Sequence, residues 1–206
     1  MIDIPDLGEG FLEMWQELLF LAGRSPAPWT LIGAHMVALH AWKVGRRQPR
    51  GSRDADVLVN VRMVSGGTKK VSELLISRRF TLDGVSPEGI GHRFVKGRIR
   101  LDVLGPDGVG SRTSLGTVPL PNLLGALLVK TRAISVDDQP QAQRADVAFL
   151  LSLVQDPDPL VAQISRSERG WLCRHPEFAD SASPCYAGIL NAVDAATVFR
   201  RLVRTG

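Results

Sequence analysis

Arg50-Gly-Ser-Arg-Asp-Ala-Asp56, followed by the apolar run Val57-Leu-Val-Asn-Val61, is the stretch on which the reading of this chain turns. A β-strand sends successive side chains to opposite faces, so Asp54 and Asp56 emerge together while Ala55, Val57, Val59 and Val61 form a buried face. Two carboxylates held side by side repel unless a cation lies between them, and oxygen-only ligation suits Mg²⁺ or Mn²⁺. Upstream, residues 29–32 read as a short strand that runs into Gly33-Ala34-His35 and a helix reaching Trp42. A glycine at a strand-to-helix turn offers backbone N–H groups to a phosphate. Together these features point to a metal-dependent enzyme acting on a nucleoside triphosphate.

The 206 residues, 44% hydrophobic and 22% charged, have the composition of a globular protein with a core of ordinary size. No apolar run approaches the roughly 20 residues of a membrane span, and residues 1–10 are acidic with no hydrophobic leader. The expectation is a cytoplasmic protein without a membrane partner. Cys173 and Cys185, the two cysteines, do not form a disulfide framework. With His175 they offer three zinc ligands at irregular spacing and no fourth, so reduced thiols are the simpler reading.

Charge is unevenly spread. Residues 29–132 carry 17 basic and 7 acidic side chains, against 1 and 5 before them and 7 and 9 after. Lys43, Arg46, Arg47, Arg50 and Arg53 precede the acidic pair, and Arg93, Lys96, Arg98 and Arg100 precede Asp102. Such a field suits RNA or a triphosphate; a solvated basic face is the alternative.

Helical spacing predicts helices over 10–22 and 69–80. Gly84, Pro87, Gly89 and Gly91 read as an irregular loop, and 92–96 and 98–104 as strands paired about Gly97. Residues 105–108 read as a turn and 113–118 as a further strand. After Pro119 and Pro121 the pattern becomes helical: 121–134, 141–153, a third helix starting near Asp156-Pro-Asp-Pro159, and a last over 185–203. The expected class is α+β, a small mixed sheet flanked by helices over 1–118, then a C-terminal helical bundle over 119–206.

In the second paired strand Ile99, Leu101 and Val103 share one face, and Arg98, Arg100 and Asp102 the other. Beside the Asp54 strand, Asp102 becomes a third carboxylate, and three acids can hold two metal ions about 4 Å apart. An ion pair with Arg98 or Arg100 is the alternative for Asp102. Lys130 falls in the apolar stripe of Leu123, Leu127 and Ile134, and Asp146 on the side of Phe149, Leu150 and Leu153. Charges on apolar stripes are costly unless they pair or meet a ligand. Lys130 would then hold a triphosphate oxygen with Asp146 orienting it, or the two form a structural ion pair. Ser52 would contact phosphate or bond its own backbone, and His35 would touch the triphosphate or be a structural residue.

In this order the residues resemble the AbiEii/MenT-type nucleotidyltransferase toxins of the DNA polymerase β-like nucleotidyltransferase superfamily. The matching positions are Gly33-Ala34, then Arg50, Ser52, Asp54 and Asp56, then Lys130 and Asp146, over residues 29–154. Ala34 and His35 depart from the pattern, which favours a second Gly and a small hydroxyl residue, and the helical tail is short for the family. The resemblance implies a nucleotidyltransferase core and a toxin of a bacterial toxin–antitoxin pair. Such a toxin moves a nucleoside monophosphate from an NTP to an RNA, the tRNA 3′ end, and pairs with an antitoxin protein. It implies Asp54 and Asp56 as ligands of Mg²⁺ or Mn²⁺, with Lys130 and Asp146 beside them in catalysis, and the strand reading adds Asp102 as the third ligand. Gly33, Ala34, Ser52, Arg53 and Lys130 are then the nucleotide contacts. Two other readings stay open: a small-molecule (antibiotic) nucleotidyltransferase, against which the basic surroundings weigh, and a catalytically inactive binding module.

Overall fold

The computed structural model describes residues 9–47, 52, 54–60, 64, 66–85, 91–104 and 118–204. The chain groups into two compact units, Met1–Leu39 with Arg50–Pro121, and His40–Pro49 with Asn122–Gly206. Arg50, Arg53 and Val61, the turn expected at 105–108 and residues 113–117 of the further strand lie outside the described residues.

The first unit is built on a five-stranded mixed sheet. Its strands are β1 (Trp29–Ile32), β2 (Asp54–Val59), β3 (Thr81–Val85), β4 (Gly91–Lys96) and β5 (Ile99–Leu104), in the spatial order β1-β2-β5-β4-β3. β2 and β5 run parallel and the other neighbours antiparallel. A parallel pair needs a long crossover, and α3 (Gly67–Ser77) with β3 and β4 supplies it. The alternation of β2 is as expected: Ala55, Val57 and Val59 are wholly buried while Asp54 and Asp56 are half-buried. Ala55 lies level with Leu101 and Val57 with Val103, so one face of the sheet is apolar and closed. α1 (Glu9–Arg24) and α3 pack on the sheet. At the edge of β1, Pro119 O accepts from Leu31 N at 2.7 Å and from Thr30 Oγ1 at 3.1 Å, which satisfies backbone that an open edge would expose.

Where a loop was expected at Gly84, the chain forms β3. Asp83 and Gly84 are poor strand formers, and the register shifts between Leu82 and Val85 show how they are tolerated, at an irregular outer strand. At the β4–β5 hairpin Gly97 has φ +58°, as the leading residue of a two-residue loop requires.

The second unit holds α4 (Leu123–Ala133), α5 (Pro140–Ser152), α6 (Asp158–Gln163), α7 (Arg166–Leu172) and α8 (Ala192–Val203), with short 3₁₀ turns at Pro176–Ala179 and Pro184–Tyr186. α2 (Gly33–Lys43) contributes residues to both units. Residues 146–152 of α5 are all buried, and α4 and α8 pack against this helix, so its C-terminal end is covered all round. Asn122 caps α4 through Gly125 N at 2.8 Å. Two departures from the sequence reading lie here. α7 is an additional short helix, started by a capping box in which Ser165 and Glu168 bond reciprocally. The last helix begins at Ala192 rather than 185, because Gly188 at φ +79° breaks the run. Among the described residues no helix is long and apolar enough to cross a membrane.

Candidate functional site

Strand register gathers the carboxylates. Asp54 lies level with Arg100, and Asp56 level with Asp102, on adjacent parallel strands. All four therefore stand on the face opposite the apolar one. Asp102 is level with Arg93 on β4, and Arg93 with Gly84 on β3, which extends the polar face across four strands. Asp54, Asp56 and Asp102 are thus brought to one surface of the first unit.

Each of the two outer acids already has a guanidinium. Arg93 donates to Asp102 through Nε (3.0 Å to Oδ1) and Nη2 (2.9 Å to Oδ2), a bidentate pair of the strong kind. Arg100 Nη1 lies 3.2 Å from Asp54 Oδ2 in an exposed pair. The ion pair foreseen for Asp102 therefore forms, but with Arg93 of the neighbouring strand in place of Arg98 or Arg100. Strand pairing about Gly97 is the signal that could have found it, since a two-residue loop at 97–98 sets 93 against 102.

Asp56 faces the strand-to-helix turn. Gly33 adopts φ +70°, and a Cβ on it would lie 1.8 Å from Asp56 Oδ2. Only glycine fits between that carboxylate and the first turn of α2. Helix N-termini favour anions, so the turn also lowers the cost of the charge at Asp56. Ala34 is buried beside it. His35 is 3% exposed and stacks on Phe11 (5.8 Å between ring centres), with Trp15 edge-on at 6.0 Å. Burial pushes its pKa down to about 4, against an opposing hydrogen bond to the Asp54 backbone and the Asp54 charge. His35 is therefore neutral at pH 7 and ties α2 to the acidic strand. The Ser52 hydroxyl bonds the Asp54 backbone, donating to O and accepting from N at 3.2 Å each, as a turn residue does.

In the helical unit, Lys130 and Asp146 meet. Lys130 Nζ lies 2.8 Å from Asp146 Oδ2, with side chains 3% and 0% exposed, and donates to Gln143 Oε1 at 2.8 Å. The pair accounts for its own burial without a ligand. An ammonium has three protons, of which these partners take two. Gln143 escaped the sequence reading because a glutamine in a polar first turn carries no signal of its own. Elsewhere in this unit His175 Nδ1 faces Glu177 Oε1 at 3.5 Å, and Cys185 Sγ donates to Ser183 Oγ at 3.3 Å.

Among the described residues no three His, Cys, Asp or Glu side chains converge ready to hold a metal ion. The donor chemistry still suits an oxygen-ligated divalent cation at Asp54 and Asp56, which share a face at one-residue spacing. Asp102 stands level with Asp56, with both oxygens given to Arg93.

No family model matches the sequence, and no curated protein sequence matches it. Two solved structures resemble it. One is the antibiotic-resistance factor ANT(2'')-Ia, at 15% identity over 69% of this chain and 83% of that one, with a TM-score of 0.47. The other is an antigenic nucleotidyltransferase-like protein from Paracoccidioides brasiliensis, at 14% identity over 92% of this chain and 93% of that one, with a TM-score of 0.52. The second likeness spans nearly the whole of both chains, and at this identity it speaks for architecture alone. The chain has a nucleotidyltransferase-like α+β fold.

Proposed function

We propose that this chain is a metal-dependent nucleotidyltransferase, the toxin of a bacterial toxin–antitoxin pair, that transfers a nucleoside monophosphate from an NTP to an RNA acceptor, the tRNA 3′ end. One observation carries the reading: the register of β2 and β5 sets Asp54, Asp56 and Asp102 on a single face beside the Gly33 turn. In the reaction an acceptor hydroxyl oxygen bonds to the α-phosphorus, and the bond from that phosphorus to the bridging oxygen breaks. Pyrophosphate leaves with the electron pair. Mg²⁺ or Mn²⁺, when bound, polarises the α-phosphate and lowers the pKa of the attacking hydroxyl.

Asp54, Asp56 and Asp102 are the cation's carboxylates in this reading, and Asp102 also takes the acceptor proton. Ser52 and Arg53, with backbone N–H groups of Gly33 and Ala34, orient the triphosphate, and Lys130 and Asp146 are the proposed catalytic lysine and the acid that orients it. The nucleotidyltransferase core is then residues 1–118, and the C-terminal helical region 119–206 carries Lys130 and Asp146. The excess of basic over acidic side chains in residues 29–132 supports a polyanionic acceptor over a cationic drug. An antitoxin protein is the expected partner.

The test is incubation of purified protein with total tRNA and each labelled NTP in Mg²⁺, with Asp56→Asn as control. Label on RNA that the substitution removes supports the reading. Label on a small-molecule acceptor alone reassigns the substrate, and no transfer to any acceptor leaves an inactive binding module.

A further inference from the structure

Arg93 sits where the polar face is most acidic. Its guanidinium holds both oxygens of Asp102, at 3.0 and 2.9 Å. Those hydrogen bonds and the Asp102 charge raise its pKa, with further contributions from Asp54 and Asp83. Arg93 thus lies within the field of three carboxylates from three strands. The strand beside it makes room: Gly84 is level with Arg93, and a Cβ on Gly84 would lie 3.2 Å from Arg93 Cβ. Of the pair, Asp102 is the buried member, its side chain 13% exposed against 39% for Arg93. The arginine can therefore swing toward solvent while the aspartate stays.

A carboxylate that gives both oxygens to a guanidinium keeps free lone pairs, but the positive charge fixed beside it opposes a divalent cation at the same oxygens. We infer that Arg93 is a built-in counter-cation that occupies Asp102 and withholds it from the metal site until the guanidinium is displaced. A cation held by Asp54 and Asp56 would repel Arg93, and the guanidinium's swing to solvent would free Asp102 to complete the site. Without metal, the same arginine relieves the repulsion among the acids. This inference rests on the carboxylate face being the metal site proposed above.

Mn²⁺ binding to the full chain, followed by the electron paramagnetic resonance signal of free Mn²⁺, tests it without reference to activity. Arg93→Ala should bind Mn²⁺ at least about tenfold more tightly than the wild type, since charge-assisted bonds that compete for Asp102 are gone. Arg93→Ala combined with Asp102→Asn should lose that gain. The wild type supplies a second measurement that needs no variant: the Arg93 Nε–H resonance should shift as Mg²⁺ is added. Equal Mn²⁺ affinity in wild type and Arg93→Ala, or an unmoved Arg93 resonance at saturating Mg²⁺, overturns the inference and leaves the metal site standing. Absence of Mn²⁺ binding in every form removes the metal site itself.

Discussion

Gly33 and Asp56 constrain each other sterically. With φ at +70° and Asp56 Oδ2 1.8 Å from where a Cβ would stand, Gly33→Ala carries both a left-handed backbone penalty and a clash. The backbone term alone is about 1–2 kcal/mol, and relief of the clash must move Asp56 or the turn. The expected result is a fall in Tm of about 4–8 °C. An unchanged Tm would place the Asp56 carboxylate elsewhere in the native protein. His35 sets a second expectation at this scale. Its folded pKa of about 4 lies below the ordinary value of 6.5, so between those limits the unfolded chain binds the proton and the folded chain does not. Stability from His35 is complete above pH 6.5 and is lost as pH falls toward 4, by about 1.4 kcal/mol per unit and about 3 kcal/mol in all. Glu17 and Glu177, whose pKa values are lowered from 4.5, act further down the scale. Urea titrations from pH 7.5 to 5 on wild type and His35→Gln should show that slope in the wild type only. At this scale one strand's alternation decides Asp54 and Asp56 directly, whereas Arg93 is legible only by counting the hairpin register outward from Gly97.

Among elements, the pairs visible locally were readable and those set by packing were not. Residues 29–32 form β1 as expected because a β-branched, apolar run meets a glycine stop. β3 was hidden, since Asp83 and Gly84 read as loop and only pairing with β4 makes them strand. α7 was hidden by its length: seven residues carry too little periodicity, although Ser165 and Glu168 spell a capping box. The helical ion pair was readable because Lys130 and Asp146 each interrupt an apolar stripe. What the stripes do not reveal is whether the pair serves the fold or a ligand. Removing one partner from a buried pair strands the other, so Lys130→Ala should cost about 3–5 kcal/mol in urea unfolding. Replacing both, Lys130→Met with Asp146→Leu, should return stability to within about 1 kcal/mol of wild type or above it. The double variant then separates the roles: if it is stable yet binds NTP weakly, the third ammonium proton serves the nucleotide. Normal NTP binding would confine the pair to the structural role.

At the scale of the whole molecule, the acceptor is addressed through charge. Residues 29–132 carry ten more basic than acidic side chains, while the rest of the chain is acidic. Some of that charge is already spent within the fold. Arg46 Nη1 donates to Ser152 O and Oγ at 3.0 Å, and its guanidinium lies 5.2 Å from the Phe149 ring centre. Reversing Arg46 would break structural bonds and confuse binding with folding. Lys43 and Arg47 are exposed, which makes them the better pair to replace by glutamate. If RNA is the acceptor, contacts of this kind release counterions, and the logarithm of affinity falls linearly with the logarithm of salt concentration. Each lost contact should flatten that line by about 0.7 for single-stranded RNA and about 0.9 for a duplex. Lys43→Glu with Arg47→Glu should therefore reduce the slope for tRNA by about 1.4–1.8 if both residues touch phosphate, with NTP affinity unchanged. A drug-sized acceptor makes too few phosphate contacts to respond. Titrating tRNA from 50 to about 200 mM salt against wild type and the double variant decides the matter, because superimposable lines would leave these two basic residues with no part in holding an RNA.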